Sequence, residues 1–233
     1  MKILSKILLS IYTAFYAVEL SLSIVLVVIL MPIFPKSQRR IRRVWGRIQR
    51  FFLCYKLEII GKPEDDTGLF IMNHQSMLDI IVFEEIFEKD ICWLAKKEIA
   101  DMPVFGRIMD VPKMIAVDRK NPRAIVQIVK QAKEKAALGR PMMIFPEGTR
   151  SRTGKLLRFK KGAKIIAEKT GVKVQPIVIC NALNILDSKK FIARPFKKLT
   201  LVFLNQVDTS DENWLENTRE KMQETLYKYG ENK

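Results

Sequence analysis

Hydrophobic residues are concentrated first in one long run near the N-terminus. From Ile7 to Phe34 the single charged residue is Glu19. As a helix, such a run is long enough to cross a bilayer core about 30 Å thick with some tilt. A carboxylate deep in a membrane is costly unless it is protonated, paired or close to water, so a helix that enters one leaflet is the alternative to a full span. No small-residue cleavage motif follows, which disfavours a removed signal peptide.

The next pattern has the period of a helix. Pro32 and Pro35 end the apolar run, and Lys36 to Arg50 then carry seven basic side chains and no acidic one. This pattern predicts an amphipathic helix from Arg39 to Tyr55 in the membrane interface, and the positive-inside rule places the following residues in the cytoplasm. The alternative is a helix packed on the core with a solvated basic face. Under either interpretation, the apolar positions of the helix recur at spacings of three, four and seven: Ile41, Val44, Trp45, Ile48, Phe51, Phe52 and Tyr55.

Beyond Tyr55, short apolar runs alternate with longer amphipathic segments. The alternation predicts an α/β fold, a mixed sheet flanked by helices, with a membrane-associated helical segment at the N-terminus. We expect two parts, residues 1–55 with the two N-terminal helices and residues 56–233 with the α/β domain. Strands are predicted at Lys56–Ile60, Leu69–Met72, Ile91–Leu94, Met114–Val117, Met142–Phe145, Val174–Ile179 and Leu199–Phe203. Helices are predicted at Ser76–Phe87, Pro103–Met109, Pro122–Leu138, Lys160–Lys169 and Asp211–Tyr227.

Charge and composition narrow the choice of partner. The chain has 41 basic and 25 acidic residues, a net charge of +16, which indicates an anionic partner such as nucleic acid or lipid. No zinc-finger spacing, RNP-like strand or helix-turn-helix pattern supports nucleic acid, so a membrane is favoured. Cys54, Cys92 and Cys180 are odd in number and widely spaced, which predicts reduced thiols in the core of a cytoplasmic domain. No cluster of His and Cys predicts a metal site.

The first candidate for chemistry is the single histidine of the chain, His74, with Asp79 five positions later. Imidazole exchanges protons near neutral pH, so it is a candidate general base, and a carboxylate could hold its working tautomer. Five residues on a regular helix turn by about 140°, so two mid-helix positions would point apart. We therefore expect His74 between a strand and the start of a helix. The alternative is a histidine that only caps or packs under the helix.

Two further polar stretches follow predicted strands. Arg119, in Val117-Asp118-Arg119, would stand where an anion meets the start of the helix that Pro122 helps to begin. A surface turn with a salt bridge is the alternative.

The second stretch is Phe145-Pro146-Glu147-Gly148-Thr149-Arg150-Ser151. Its proline and glycine predict a sharp turn, Glu147 and Thr149 supply hydrogen-bonding groups, and Arg150 can hold a phosphate with paired donors. A generic polar turn is the alternative. Arg158, Lys160 and Lys161 follow it.

Together, N-H-x-x-x-x-D at 73–79, V-D-R at 117–119, F-P-E-G-T-R-S at 145–151 and V-Q-P-I-V at 174–178 resemble the four motif blocks of the 1-acyl-sn-glycerol-3-phosphate acyltransferase family. The resemblance covers about Ile60 to Cys180 and the N-terminal anchor. It implies that His74 and Asp79 are a catalytic dyad and that Arg119 belongs to the glycerol-phosphate site. It also implies an acceptor-binding turn at Glu147, Gly148, Thr149 and Arg150. Many family members have glycine near the position of Lys113, a departure in the second block.

The resemblance implies acyl transfer from a thioester to the sn-2 hydroxyl of lysophosphatidic acid, which makes phosphatidic acid for phospholipid biosynthesis. His74 would take the hydroxyl proton, and with no Ser or Cys tied to the dyad we expect direct transfer. Alternatives are transfer to glycerol 3-phosphate or another lysolipid, and a lipid-binding protein without catalysis. We expect no cofactor, an acyl carrier protein or coenzyme A thioester as co-substrate, and membrane phospholipid but no nucleic acid as partner. The expected location is the cytoplasmic (inner) membrane with the catalytic domain facing the cytoplasm.

Overall fold

The computed structural model describes residues 2–119, 121 and 123–231, so Pro122, predicted to start a helix, lies outside the described residues. The helices are Lys2–Ile33 (α1), Gln38–Leu53 (α2), Leu78–Ile86 (α3), Lys97–Ala100 (α4), Arg107–Asp110 (α5), Ala124–Ala137 (α6), Gly162–Thr170 (α7), Ala182–Ile185 (α8) and Trp214–Tyr229 (α9). The strands are Lys56–Ile60 (β1), Thr67–Met72 (β2), Cys92–Lys96 (β3), Ile115–Val117 (β4), Met142–Ile144 (β5), Lys173–Cys180 (β6), Leu186–Asp187 (β7), Ile192–Ala193 (β8) and Lys198–Phe203 (β9).

The main sheet has the strand order β1-β9-β6-β2-β5-β3-β4. All neighbouring strands are parallel except β6 and β9. The predicted α/β fold with a mixed sheet is therefore confirmed. The small antiparallel pair of β7 and β8 was not predicted, because two residues per strand are too few to show a pattern.

Helices cover both faces of the sheet and make two apolar cores. Alternate residues of a strand point to opposite faces. Phe70 and Met72 of β2 accordingly pack in one core with α1, α2 and α3, whereas Leu69 and Ile71 pack in the other with α6, α7 and α9. The predicted short helix at Pro103–Met109 is wrong in its bounds, since the segment forms turns and becomes helical only at α5.

α1 is both apolar and packed along one side. It is the one helix in the described part of the chain that is long and apolar enough to cross a membrane, by length and composition. Tyr16, Leu20 and Met31 on one face are buried in the core. The opposite face exposes large apolar side chains along its whole length. Glu19, the single charge of the run, accepts a hydrogen bond of 3.0 Å from the Gln49 side chain of α2, so this side chain turns toward the protein.

α2 crosses α3 closely at Gly46, where an added Cβ would lie 2.9 Å from the backbone of Glu85. The basic side chains of α2 are not simply solvated, as the core-packing alternative expected. Arg39 and Arg42 form ion pairs with Glu84, and Arg50 pairs with Glu85. The reason is that α3 presents two adjacent glutamates to this face. Val44, Ile48 and Phe51 on the same helix stay exposed.

One cysteine prediction is wrong. Cys92 and Cys180 are buried, and burial raises the pKa of the Cys180 thiol to about 12. Cys54 is exposed because it ends α2 with a left-handed φ of 48°, which turns it out of the core. All three thiols are free.

Candidate functional site

The predicted polar stretches meet at one edge of the sheet. β2, β3, β4 and β5 are parallel, so the segments that follow them leave the sheet at the same edge. In such sheets ligands bind at the carboxyl ends of the strands. His74 follows β2, Arg119 follows β4, and the turn at 145–151 follows β5. The topology therefore brings together residues that are up to 76 positions apart in the chain.

His74 lies between β2 and α3, as predicted. Asn73 holds the end of β2 to β6 by donating a hydrogen bond of 2.9 Å to the carbonyl of Ile179 and accepting one of 2.8 Å from its amide. The His74 side chain is 12% exposed. The backbone next to His74 is thus held in place, and the imidazole is open to solvent on one side.

Asp79, the second residue of α3, is fully buried beneath this loop. Its Oδ2 lies 2.7 Å from Nδ1 of His74 and also accepts the amides of Gln75 and Ser76 at 2.7 and 2.9 Å. A carboxylate can only accept, so Nδ1 carries the proton. The other ring nitrogen, Nε2, is left as a proton acceptor, which is the tautomer that a general base needs.

An aromatic stack supports the imidazole face. The ring of Phe145, the last residue before the polar turn, lies 3.9 Å from the His74 ring at an angle of 12°. The Trp93 ring of β3 lies 5.6 Å from Phe145 at 27°. Trp93 was not predicted as a site residue. Its position at the edge of the site follows from β3 lying next to β5, which only the strand order reveals.

Glu147 points inward from the turn, and its contact with an acceptor stays a prediction. It is 2% exposed, and its Oε1 and Oε2 accept the backbone amides of His74 at 2.9 Å and Leu157 at 2.7 Å. Burial raises its pKa from 4.5 to about 7, against the effect of these hydrogen bonds. Ser151 adds a backbone hydrogen bond of 2.7 Å to the carbonyl of His74. Glu147 therefore holds the loop that carries the histidine.

Arg119 and Arg150 lie beside the same turn. A guanidinium nitrogen of Arg119 donates to the carbonyl of Gly148. Nε of Arg150 lies 3.4 Å from Nε2 of His74. Gly148 has φ +70°, and an added Cβ would lie 2.9 Å from Nζ of Lys160. The positive φ thus favours glycine in this turn, whereas the flexible Lys160 side chain could move aside for a Cβ. Thr149 is exposed at the tip.

A cleft of about 1100 Å³ runs past His74. Its lining includes Arg119, Arg150 and Thr149. Five more cations that we did not predict as site residues also line it: Arg42, Lys96, Arg152, Lys160 and Lys189. Lys160 stood in the basic stretch after the polar turn, and Lys96 ends β3. Most of the remaining lining is apolar and includes Ile24, Val27, Ile80, Phe105 and Ile108. The cleft beside the histidine therefore combines cationic and apolar side chains.

Lys113, the departure from the second motif block, keeps the backbone shape that glycine favours. Its φ is +52°, in the left-handed region. Its carbonyl accepts a hydrogen bond of 3.2 Å from Arg140. The segment that leads into β4 and Arg119 can thus adopt this conformation without glycine.

Known proteins share this sequence and fold. The acyltransferase family model matches residues 55–180. A 1-acyl-sn-glycerol-3-phosphate acyltransferase of Helicobacter pylori strain J99 is 42% identical over 74% of this chain and 74% of that protein. One of Cocos nucifera is 31% identical over 78% of this chain, which spans 62% of that protein. The crystal structure of the 1-acyl-sn-glycerophosphate (LPA) acyltransferase PlsC from Thermotoga maritima matches over 100% of both chains, with a TM-score of 0.74 and 26% identity.

Since the family model covers more than half of the chain and the Helicobacter relative is 42% identical over most of both proteins, this chain belongs to the acyltransferase family, among the 1-acyl-sn-glycerol-3-phosphate acyltransferases.

Proposed function

We propose that this protein transfers an acyl group from a thioester to the sn-2 hydroxyl of lysophosphatidic acid and so forms phosphatidic acid. One observation carries the proposal: His74, with Nε2 left as an acceptor, lines a cleft that combines cationic and apolar side chains. Lysophosphatidic acid combines the matching groups, a phosphomonoester at one end and an acyl chain at the other. The names of the relatives agree with this acceptor.

The reaction follows from the dyad. Neutral His74 takes the hydroxyl proton on Nε2 while the oxygen bonds to the thioester carbonyl carbon. Collapse of the tetrahedral intermediate breaks the carbon–sulfur bond, and the imidazolium returns its proton to the departing thiolate. An ester and a free thiol result. Asp79 holds the ring by Nδ1 throughout and stabilises the imidazolium.

The two arginines are suited to bind the phosphate of the acceptor. Arg119 and Arg150 flank the turn that borders His74. Guanidinium groups bind phosphate with paired, charge-assisted hydrogen bonds. A phosphate held there would place a neighbouring hydroxyl at the imidazole. Arg150 donates to Nε2 in the present structure, so acceptor binding would draw this side chain to the phosphate and free the nitrogen.

The protein associates with membranes, and we propose that α1 lies in one leaflet of the cytoplasmic membrane with the catalytic domain on the cytoplasmic side. Thr13 exchanges hydrogen bonds of 3.3 and 3.4 Å with the backbone of Ala193, and Met31 is buried in the core. Residues 13–31 therefore run along the domain. A span that crosses both leaflets would require the domain to enter the bilayer with them.

The test is an acyl-transfer assay on the full-length protein in lipid nanodiscs. Labelled acyl-coenzyme A and acyl carrier protein thioesters are each offered with lysophosphatidic acid, glycerol 3-phosphate, lysophosphatidylcholine or lysophosphatidylethanolamine, and His74→Ala is the control. We expect labelled phosphatidic acid from lysophosphatidic acid with at least one donor. Preferred use of glycerol 3-phosphate, or no transfer from either donor to any acceptor, would reject the proposal.

A further inference from the structure

The arginines of α2 are connected to the catalytic histidine through a continuous chain of side chains. Glu84, on α3, is 3% exposed. Its Oε1 accepts hydrogen bonds of 2.7 Å from both Arg42 and the indole N–H of Trp93, and its Oε2 pairs with Arg39. Both oxygens are therefore occupied by donors from two different elements.

Trp93 is linked to the imidazole of His74 through the ring of Phe145. Its ring is 5.6 Å from that of Phe145, which in turn lies 3.9 Å from His74. A buried indole N–H needs a partner, so the bond to Glu84 fixes the rotation of Trp93 about its side-chain bonds. Phe145 packs between the indole and the imidazole. The tilt of the Phe145 ring, and with it the face available to His74, depends on where the indole lies.

We propose that Glu84 and Trp93 are positioning residues that hold the plane of the His74 ring, and that Arg39 and Arg42 make this position depend on α2 being packed on α3. The inference rests on the proposed function of His74 and extends it to the N-terminal helices. If α2 moved away, Glu84 would be a buried anion without its cations, a costly state that forces rearrangement. Trp93 would then lose its anchor. A protein with its N-terminal helices undocked would hold the base in the wrong orientation.

The key variant is Trp93→Phe, which keeps an aromatic ring but removes the N–H that binds Glu84. Its matched control is Glu85→Gln. Glu85 also joins α3 to Arg50 of α2 and to Tyr55 just after α2, but within the described part of the chain it makes no hydrogen bond to Trp93, Phe145 or His74. If Trp93→Phe acted only by loosening the helix interface, Glu85→Gln would change kcat and the resonances as well. The proposed contacts from Glu84 through Trp93 to His74 predict a change in Trp93→Phe alone.

Because His74 is the single histidine in the chain, its ring can be observed directly. NMR spectra of full-length protein with isotope-labelled histidine, in lipid nanodiscs, give one set of imidazole resonances that report the ring current of Phe145. We expect Trp93→Phe to shift these resonances and to lower kcat for lysophosphatidic acid about tenfold, part of the roughly hundredfold loss that an ångström of misplacement can cause. KM should change less than kcat, because Arg119 and Arg150, the proposed phosphate contacts, are unaltered in this variant. Glu85→Gln should match wild type.

Unchanged resonances and kcat in folded Trp93→Phe would overturn the proposal, and so would an equal change in Glu85→Gln. Should Trp93→Phe not fold, Glu84→Met, which keeps a similar volume but cannot accept the indole N–H, tests the same link and should shift the resonances in the same way. The outcomes also separate the two proposals. If Trp93→Phe shifts the resonances but the wild type acylates no acceptor, the proposed function is rejected and the positioning role is kept. If the wild type is active but Trp93→Phe leaves the resonances unchanged, the positioning role is rejected and the proposed function is kept.

Discussion

A single oxygen of Asp79, Oδ2, binds both Nδ1 of His74 and the two backbone amides that follow the histidine. Among the described residues, the other oxygen, Oδ1, has no hydrogen-bond partner. The carboxylate therefore shapes the loop and orients the ring with one atom. This arrangement separates the geometric role of Asp79 from its charge.

Asp79→Asn should keep the geometry and lose the charge. The amide oxygen of asparagine can take the place of Oδ2 and accept the same three N–H groups, with its NH₂ in the place of Oδ1. The tautomer of His74 is then retained, but the imidazolium loses its counter-charge. A charged hydrogen bond contributes about 1.5–3 kcal/mol, so kcat should fall about ten- to a hundredfold. Histidine NMR should still show the proton on Nδ1, and a change of tautomer would contradict this account.

His74→Ala should abolish turnover without unfolding the protein. The imidazole is at the cleft surface, and removal of general-base help typically costs about 10²- to 10⁴-fold in rate. Steady-state kinetics and thermal unfolding, measured on the same preparation, provide the test. A folded variant with near-normal turnover would remove His74 from the mechanism.

The position of this dyad could be predicted from the sequence because it depends on local order. A buried strand ends at Met72 and a helix begins at Leu78, so His74 and Asp79 must approach each other across the helix start. The side of the chain to which Glu147 points could not be predicted. A carboxyl group in a polar turn can face solvent or turn inward. Here Glu147 turns inward because it accepts hydrogen bonds from the backbone amides of His74 and Leu157.

The contacts of α2 could not be predicted from the sequence for a different reason. Arg42 and Glu84 are 42 positions apart, and their pairing depends on how two helices cross. The basic residues of α2 predicted an anionic partner, but the sequence did not show that part of this partner is α3. Similarly, Lys96 and Trp93 join the site only because β3 lies beside β5 in the sheet.

Burial of Glu147 should make stability depend on pH. Its pKa is raised from 4.5 to about 7, so the folded state binds a proton that the unfolded state has released between these two values. Stability should then fall as pH rises through this window, by about 3 kcal/mol in total for this group. Glu147→Gln removes the titration. Between about pH 4.5 and 7.5 the melting temperature of wild type should fall relative to that of the variant, and parallel curves would show that Glu147 does not titrate there.

The arginines beside His74 should decide acceptor choice. Replacing Arg119 or Arg150 by Ala should lower kcat/KM for lysophosphatidic acid about ten- to a hundredfold or more, because a charge-assisted contact contributes roughly 1.5–3 kcal/mol. Arg150→Lys should recover only part of this, since a point charge lacks the paired donors. Arg219→Ala, which removes an arginine that pairs with Glu216 on α9, is the matched control.

Kinetics with a capped acceptor complete this test. Lysophosphatidylcholine carries less charge and more bulk at the phosphate, so wild type should use it less well than lysophosphatidic acid. Arginine variants that weaken both acceptors equally would indicate a general lysolipid acyltransferase instead.

Membrane binding should depend more on the apolar stripe of α1 than on the arginines of α2. Leu22, Leu26 and Ile29 are 66, 53 and 51% exposed and lie on one face of α1. Each large apolar side chain contributes about 1.5–3 kcal/mol when fully buried, so changing all three to Ser should remove on the order of 5 kcal/mol of membrane affinity. Arg39, Arg42 and Arg50 are already paired with glutamates of α3. Their attraction to anionic lipid is accordingly reduced.

Sedimentation with neutral and anionic vesicles, at low and high salt, distinguishes the two contributions. The triple variant should lose binding to both kinds of vesicle, and wild type should keep most of its binding at high salt, because screening weakens only the electrostatic part. The control changes Val126 and Leu138 to Ser, two residues at 73 and 76% exposure on and just after α6, across the sheet from α1. It should bind like wild type. Binding that disappears at high salt but survives the triple change would mean that basic side chains, and not the stripe of α1, hold the protein on the membrane.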